Sequence, residues 1–161
     1  MSFEFTAENK EKVKAIIAKY PPGKQASAVM PLLDLAQRQN KGWLPREAMD
    51  HVAEVLGMAR MRVYEVASFY EMYNLQPVGK YKLTLCTNLP CALQGATVAA
   101  EHLKKRLGIE FGETTAEGAY TLKEAECMGA CGDAPVLLVN NKRMACAMTP
   151  DKLDQLLEEL K

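Results

Sequence analysis

A chain of 161 residues, 48% of them apolar, is long enough to bury one ordinary core or two small ones. Its 20 basic and 20 acidic residues cancel, so no net positive field draws it to nucleic acid or to anionic lipid. Its apolar runs are far shorter than the roughly 18–20 residues of a membrane span, and residues 1–5 lack the order of a targeting signal. We therefore expect a cytoplasmic protein, or an already trimmed mature form, without direct membrane insertion.

The first half of the chain predicts four helices, because apolar residues recur there at helical spacing. Thr6 suits the N-cap of the first helix, and Pro21 follows its end. The third is expected to run from Pro45, as its first residue, to Leu56, and the fourth over about residues 60–72. The expected inward faces are Val13, Ile16, Ile17 and Tyr20; Val29, Leu32, Leu33 and Ala36; Met49, Val52, Ala53 and Leu56; and Val63, Val66, Ala67 and Tyr70.

The pattern changes at residues 76–79, where Gln-Pro-Val-Gly is typical of a turn. We place a domain boundary here, so that residues 1–78 form an N-terminal helical domain and residues 79–161 a second domain. The sequence pattern of the second domain predicts, in chain order, a strand, a helix, three strands and a final helix. The last two strands are expected to form a hairpin. The expected ranges are 81–86, about 93–107, 120–126, 136–139, 143–148, and a terminal helix that begins at Thr149-Pro150.

Four of the five cysteines form two pairs. Four residues separate Cys86 from Cys91 and three separate Cys127 from Cys131, and the pairs follow different predicted strands, so two loops should meet at one site. Thiolates prefer iron-sulfur clusters, zinc and copper(I). The wide loops and the small residues around the second pair favour a [2Fe-2S] cluster, with zinc left open. Cys146 lies in a strand pattern and is expected to pack in the interior, outside the site.

Several motifs together resemble one known family. From about residue 5 to residue 160 the chain resembles the small [2Fe-2S] subunit of the NADH-oxidising module of respiratory complex I, NADH:quinone oxidoreductase. The motifs are Gly42-Trp43-Leu44-Pro45, Val63-Tyr64-Glu65-Val66-Ala67-Ser68-Phe69-Tyr70, Pro77-Val78-Gly79-Lys80-Tyr81, Cys86-Thr87-Asn88-Leu89-Pro90-Cys91, Glu126-Cys127-Met128-Gly129-Ala130-Cys131 and Ala134-Pro135-Val136.

The resemblance implies an α+β fold, in which an N-terminal helical bundle precedes a thioredoxin-like α/β domain that carries one [2Fe-2S] cluster. Its four cysteine ligands match Cys86, Cys91, Cys127 and Cys131. The implied partners are a flavoprotein subunit, which holds FMN, binds NADH and carries a [4Fe-4S] cluster, and other peripheral-arm subunits of complex I. That arm would lie on the cytoplasmic face of the inner membrane, or in the mitochondrial matrix for a processed chain.

The chain itself is expected to transfer electrons without oxidising NADH, since it has no G-x-G-x-x-G motif for a dinucleotide. Because its net charge is zero, docking should rest on apolar and aromatic anchors. The helical half offers Trp43, Phe69, Tyr70 and Tyr73 for this purpose.

Two other functions compete with this one. An equivalent diaphorase subunit of a soluble NAD-linked hydrogenase or formate dehydrogenase would have the same motifs. A zinc-stabilised helix-turn-helix DNA-binding protein could use the third and fourth helices. However, Arg60 and Arg62 are accompanied by Glu65 and Glu71, and a helix without a basic face forgoes most nonspecific DNA affinity.

Overall fold

A computed structural model describes residues 3–161, and the chain divides into two compact units, with the boundary between Pro77 and Val78. Within the described residues there are seven α-helices and one four-stranded sheet. In that part of the chain, none of the helices combines the length and apolar character that crossing a bilayer requires.

The first unit contains four helices that pack around one apolar core. They are α1 (Ala7–Ile17), α2 (Val29–Gln39), α3 (Arg46–Leu56) and α4 (Arg60–Phe69). Thr6 caps α1, as predicted, by accepting a hydrogen bond from the Asn9 amide. The core is formed mainly by Val13, Leu32, Leu33, Leu44, Val52, Leu56 and Val63.

Two helix boundaries in this unit differ from the prediction. Pro45 is the N-cap of α3 and not its first helical residue, because its backbone is still extended (ψ 158°). Helix α4 ends at Phe69, three residues earlier than expected, because the chain after it turns into the core. There the buried Tyr73 donates a hydrogen bond to the Met30 carbonyl. The Gln37 side chain donates to the Met72 carbonyl and accepts from the Asn74 amide, on either side of Tyr73.

The second unit has a mixed sheet in the order β2-β1-β3-β4. Its strands are β1 (Tyr81–Cys86), β2 (Tyr120–Ala125), β3 (Leu137–Val139) and β4 (Arg143–Ala145), and its helices are α5 (Leu89–Leu93), α6 (Ala96–Leu107) and α7 (Pro150–Glu159). Strands β1 and β2 are parallel, whereas β3 is antiparallel to both β1 and β4. Leucines of β1, β2, β3, α6 and α7 form the core of this unit.

The hairpin turn and the start of the terminal helix follow the sequence prediction. Asn140 and Asn141 both adopt positive φ angles, 51° and 53°, as a tight hairpin turn requires. Thr149 caps α7 by accepting a hydrogen bond from the Lys152 amide. The helix expected from about residue 93 begins instead at Ala96, because Gly95 has a φ of 98°, and the short helix α5 before it was not predicted.

Strand β4 is shorter than predicted, and this overturns the expected interior position of Cys146. The strand ends at Ala145, and Ala147 has a positive φ of 50°. The Ala147 amide donates to the Asp133 carbonyl at 2.7 Å, and the next amide donates to Pro135 at 2.9 Å. The chain is thus drawn away from β3 and leaves Cys146 exposed.

Candidate metal centre

The topology brings the two cysteine pairs to one edge of the sheet. Cys86 is the last residue of β1, and Cys127 follows the end of β2 by two residues. The parallel register pairs Cys86 with Ala125, so the carboxyl ends of both strands lie side by side. Cys91 lies in α5, directly after β1, and Cys131 begins a short 3-10 turn.

The first pair is buried and the second is exposed. Cys86 and Cys91 are only 2% and 1% exposed, and they pack with Ala96 and Val136 in a small core of their own. Burial raises the pKa of the Cys91 thiol, and its hydrogen bond with Cys86 and the nearby Cys131 raise it further. Met128 and Ala130, which lie between the cysteines of the second pair, pack against this small core, so the two pairs are close together.

The second pair lies in a loop whose backbone favours a thiolate. The Sγ atoms of Cys127 and Cys131 are 3.5 Å apart, and the Gly129 amide donates to the Cys127 Sγ at 3.4 Å. This amide lowers the pKa of the Cys127 thiol, with a second contribution from Cys131, whereas the Glu126 carboxylate opposes the effect. Conversely, the Cys127 thiol raises the pKa of Cys131.

The donor set fits a cofactor that takes its ligands in pairs. Among residues 3–161, no three His, Cys, Asp or Glu side chains lie close enough together to hold one metal ion. Two thiolates that share one tetrahedral metal, with bonds of about 2.3 Å, would lie roughly 3.8 Å apart, close to the separation of Cys127 and Cys131. Open space surrounds Gly129 and Gly132, so the loop can approach inorganic sulfur. Four soft ligands in two pairs therefore suit a two-iron cluster.

Polar side chains that the sequence analysis did not single out connect the two cysteine loops. Asn88 Nδ2 donates to Glu126 Oε2 at 2.6 Å, and Thr87 Oγ1 donates to Glu124 Oε1 at 2.6 Å. The Thr87 amide also donates to the Ala125 carbonyl at 3.1 Å. Polar residues beside cysteines are common on surfaces, so only the register of β1 against β2 could have indicated these contacts.

Neither histidine contributes to this site. His51 packs its ring against those of Phe3 and Phe5, with centroids 5.9 and 5.3 Å away. His102 Nε2 lies 3.0 Å from the Asp154 carboxylate, which Arg106 also contacts at 2.8 Å. Both side chains therefore have structural partners away from the cysteines.

Comparison with known proteins gives relatives over nearly the whole chain. The family model of the thioredoxin-like [2Fe-2S] ferredoxin matches residues 13–161. An NADH-quinone oxidoreductase subunit from Rickettsia felis is 47% identical over 98% of this chain and 94% of that protein. The mitochondrial NADH dehydrogenase [ubiquinone] flavoprotein 2 of Dictyostelium discoideum is 47% identical over 96% of this chain and 64% of that protein.

A solved structure shares the fold. The NAD+-reducing [NiFe]-hydrogenase in its air-oxidised state superposes with a TM-score of 0.66 at 22% identity, over 80% of this chain. The match spans only 22% of the hydrogenase chain. The relatives confirm the resemblance that the motifs indicated, and the chain belongs to the thioredoxin-like [2Fe-2S] ferredoxin family.

Proposed function

We propose that the chain is the electron-transfer subunit of an NADH:quinone oxidoreductase and holds one [2Fe-2S] cluster on Cys86, Cys91, Cys127 and Cys131. The observation that carries the proposal is the convergence of these four thiols, as two pairs, at the carboxyl edge of β1 and β2. Two relatives of nearly equal length support the proposal, because both are named as a subunit of NADH-quinone oxidoreductase. When bound, the cluster would accept and return one electron at a time.

The protein's own residues would hold, shield and tune that cluster. Cys86 and Cys91 would supply ligands from an apolar wall, where little water reaches them. Cys127 and Cys131 would supply ligands from the exposed side, where the Gly129 amide stabilises negative charge on sulfur. This asymmetry leaves one side of the cluster open to an electron donor or acceptor.

The partner in this proposal is a flavoprotein subunit that holds FMN, binds NADH and carries a [4Fe-4S] cluster. A hydride donor needs a two-electron acceptor, such as a flavin, between it and a one-electron cluster. Leu89 and Leu93 flank Cys91 on α5 and are 69% and 77% exposed, which is unusual for large apolar residues. We infer that these two leucines pack against the flavoprotein and are covered in the complex.

The helical unit offers a second set of anchors. Phe69 is 77% exposed and meets Tyr70 edge-to-face, with ring centroids 5.0 Å apart. Tyr73, which the sequence also suggested as an anchor, is only 4% exposed and belongs to the core. We propose that residues 1–78 form an N-terminal helical bundle that docks through Phe69 and Tyr70, and that residues 79–161 form the cluster domain. The assembled arm would lie on the cytoplasmic face of the membrane.

The test compares the cluster-loaded chain with and without its flavoprotein partner, in the reduction of an artificial acceptor by NADH. We expect turnover only with the flavoprotein, because no dinucleotide motif is present in this chain. Appreciable NADH oxidation by the loaded chain alone would contradict the proposal. A diaphorase subunit of a soluble hydrogenase or formate dehydrogenase remains the alternative, and the subunits that co-purify with the chain distinguish the hosts.

DNA binding is not proposed, because carboxylates lie beside both arginines of α4 and offset their charge. Arg62 forms an ion pair with Glu65 at 2.9 Å, and Arg60 lies 3.7 Å from Asp50. A DNA-binding helix needs a face with net positive charge to attract the phosphate backbone.

A further inference from the structure

We propose that Asn88 and Glu126 form a positioning bridge between the two cysteine loops, and that the bridge fixes a negative charge beside the cluster and thereby lowers its reduction potential. The inference rests on the proposed [2Fe-2S] site and deepens it. It concerns two residues that are not expected to bind iron.

The bridge joins the two loops at residues adjacent to the ligands. Asn88 lies between Cys86 and Cys91, and Glu126 directly precedes Cys127. The 2.6 Å separation of Asn88 Nδ2 from Glu126 Oε2 is typical of a strong, charge-assisted hydrogen bond. A shift of either loop would therefore change the spacing between the buried and the exposed cysteine pairs.

Asn88 is itself held in place, which makes it a firm support for the carboxylate. Its Oδ1 accepts a hydrogen bond from the Leu89 amide at 3.0 Å and caps α5, while its Nδ2 faces Glu126. The neighbouring bond from Thr87 to Glu124 and the backbone bond from Thr87 to Ala125 join the same two segments. The Asn88 side chain is thus oriented from both sides.

The carboxylate lies next to ligands of both loops. Glu126 directly precedes Cys127, and its bond to Asn88 holds it against the segment between Cys86 and Cys91. Reduction adds one negative charge to a cluster that four thiolates surround, and a fixed carboxylate disfavours this step. Hydrogen bonding and nearby charge are two of the means by which surrounding residues tune such potentials.

Three single variants separate the charge from the bridge. Glu126→Gln removes the charge but keeps an amide oxygen that Asn88 can still bond. Asn88→Ser keeps a good helix cap but cannot reach Glu126, so the freed carboxylate can turn into solvent. Glu117→Gln is the matched control: Glu117 is exposed near the start of β2, at the opposite end of the parallel strand pair and roughly 17 Å away along the strand.

The primary readout is the midpoint potential at pH 8 in a redox titration followed by electron paramagnetic resonance. For Glu126→Gln and for Asn88→Ser we expect reduction to become about threefold more favourable, which at about 59 mV per tenfold is an upward shift of ~28 mV. The double variant should shift no further than Glu126→Gln alone, because both substitutions remove the same fixed charge. Glu117→Gln should leave the midpoint unchanged, since screening suppresses charges beyond about 10 Å.

The second readout is the rate at which a chelator bleaches the cluster. Asn88→Ser should accelerate this loss about threefold because the loops are no longer bridged, whereas Glu126→Gln should match the wild type. Unchanged midpoint potentials and unchanged rates of cluster loss in both Glu126→Gln and Asn88→Ser would overturn the bridge. Additive midpoint shifts in the double variant, or an equal midpoint shift in Glu117→Gln, would also overturn it. A wild-type chain that takes up no [2Fe-2S] cluster would instead overturn the proposed function, and this inference with it.

Discussion

Gly79 provides the sharpest test of the packing that positions the cluster loops. A Cβ at this position would lie 2.9 Å from the Gly118 carbonyl oxygen and 2.9 and 3.0 Å from backbone atoms of Tyr120, none of which is a flexible side-chain end. The Gly79 amide also donates a buried hydrogen bond to Thr121 Oγ1 at 2.7 Å. Gly79→Ala should therefore force β1 and β2 apart where the strand pair begins.

The expected cost follows from two contributions. Overpacking a tight site costs about 1–3 kcal/mol, and a disturbed hydrogen bond adds about 0.5–1.5 kcal/mol. The unfolding free energy of the second unit should fall by roughly 2–4 kcal/mol, which is about 30- to 900-fold in an opening equilibrium at 1.36 kcal/mol per tenfold. Native-state hydrogen exchange, resolved by peptide mass spectrometry, measures this ratio directly.

The same experiment tests whether the two units fold independently. Amides of β1 and β2 should exchange faster in Gly79→Ala, whereas those of α2 in the first unit should not change. Gly108→Ala is the control, since open space surrounds Gly108 and only its φ of 67° opposes a side chain, at about 1–2 kcal/mol. Equal acceleration in α2 would refute separate domains, and unchanged β1 amides would refute the steric argument.

Two further predictions concern the cluster and the pH dependence of stability. All-thiolate ligation should give a low midpoint potential, roughly −400 mV as in plant-type ferredoxins, and a redox titration with a midpoint above 0 mV would exclude this cluster type. Hydrogen bonds from His102, and then from Arg106, hold the pKa of Asp154 below its usual value. A depressed carboxyl pKa stabilises the fold above the unfolded-state pKa and loses that contribution as pH falls through the lower, folded-state value. Asp154→Asn should therefore flatten the loss of stability below about pH 4 in acid unfolding curves, and an unchanged slope would show that these contacts contribute nothing.

Much of the fold could be predicted because local signals and tertiary packing agree. Thr6 and Thr149 are caps in the sequence and in the structure, and the two asparagines at 140 and 141 adopt the positive φ angles that the hairpin needs. The order of strands and helices in the second unit likewise follows apolar periodicity and turn residues. The four cysteines could be grouped because their spacing placed each pair after a strand.

The remaining features depend on contacts between residues that are distant in sequence. Helix α4 ends early because two long-range hydrogen bonds hold the following segment in the core. One joins Tyr73 to Met30, 43 residues away, and the other joins Met72 to Gln37, 35 residues away. Cys146 is exposed because the Asp133 carbonyl accepts the Ala147 amide and draws the chain off β3. The Asn88–Glu126 contact exists only because β1 and β2 are in register. No local pattern encodes such pairings.

The most direct measurement of the central claim is the iron content and the electron paramagnetic resonance signal of dithionite-reduced single variants. We expect Cys86→Ala, Cys91→Ala, Cys127→Ala and Cys131→Ala each to abolish or severely disturb the cluster, since each removes one of four ligands. Cys146→Ala should retain the wild-type iron content and signal, because Cys146 is an exposed thiol outside the two pairs. Loss of the signal in Cys146→Ala, or an intact signal in any of the other four, would contradict the assignment.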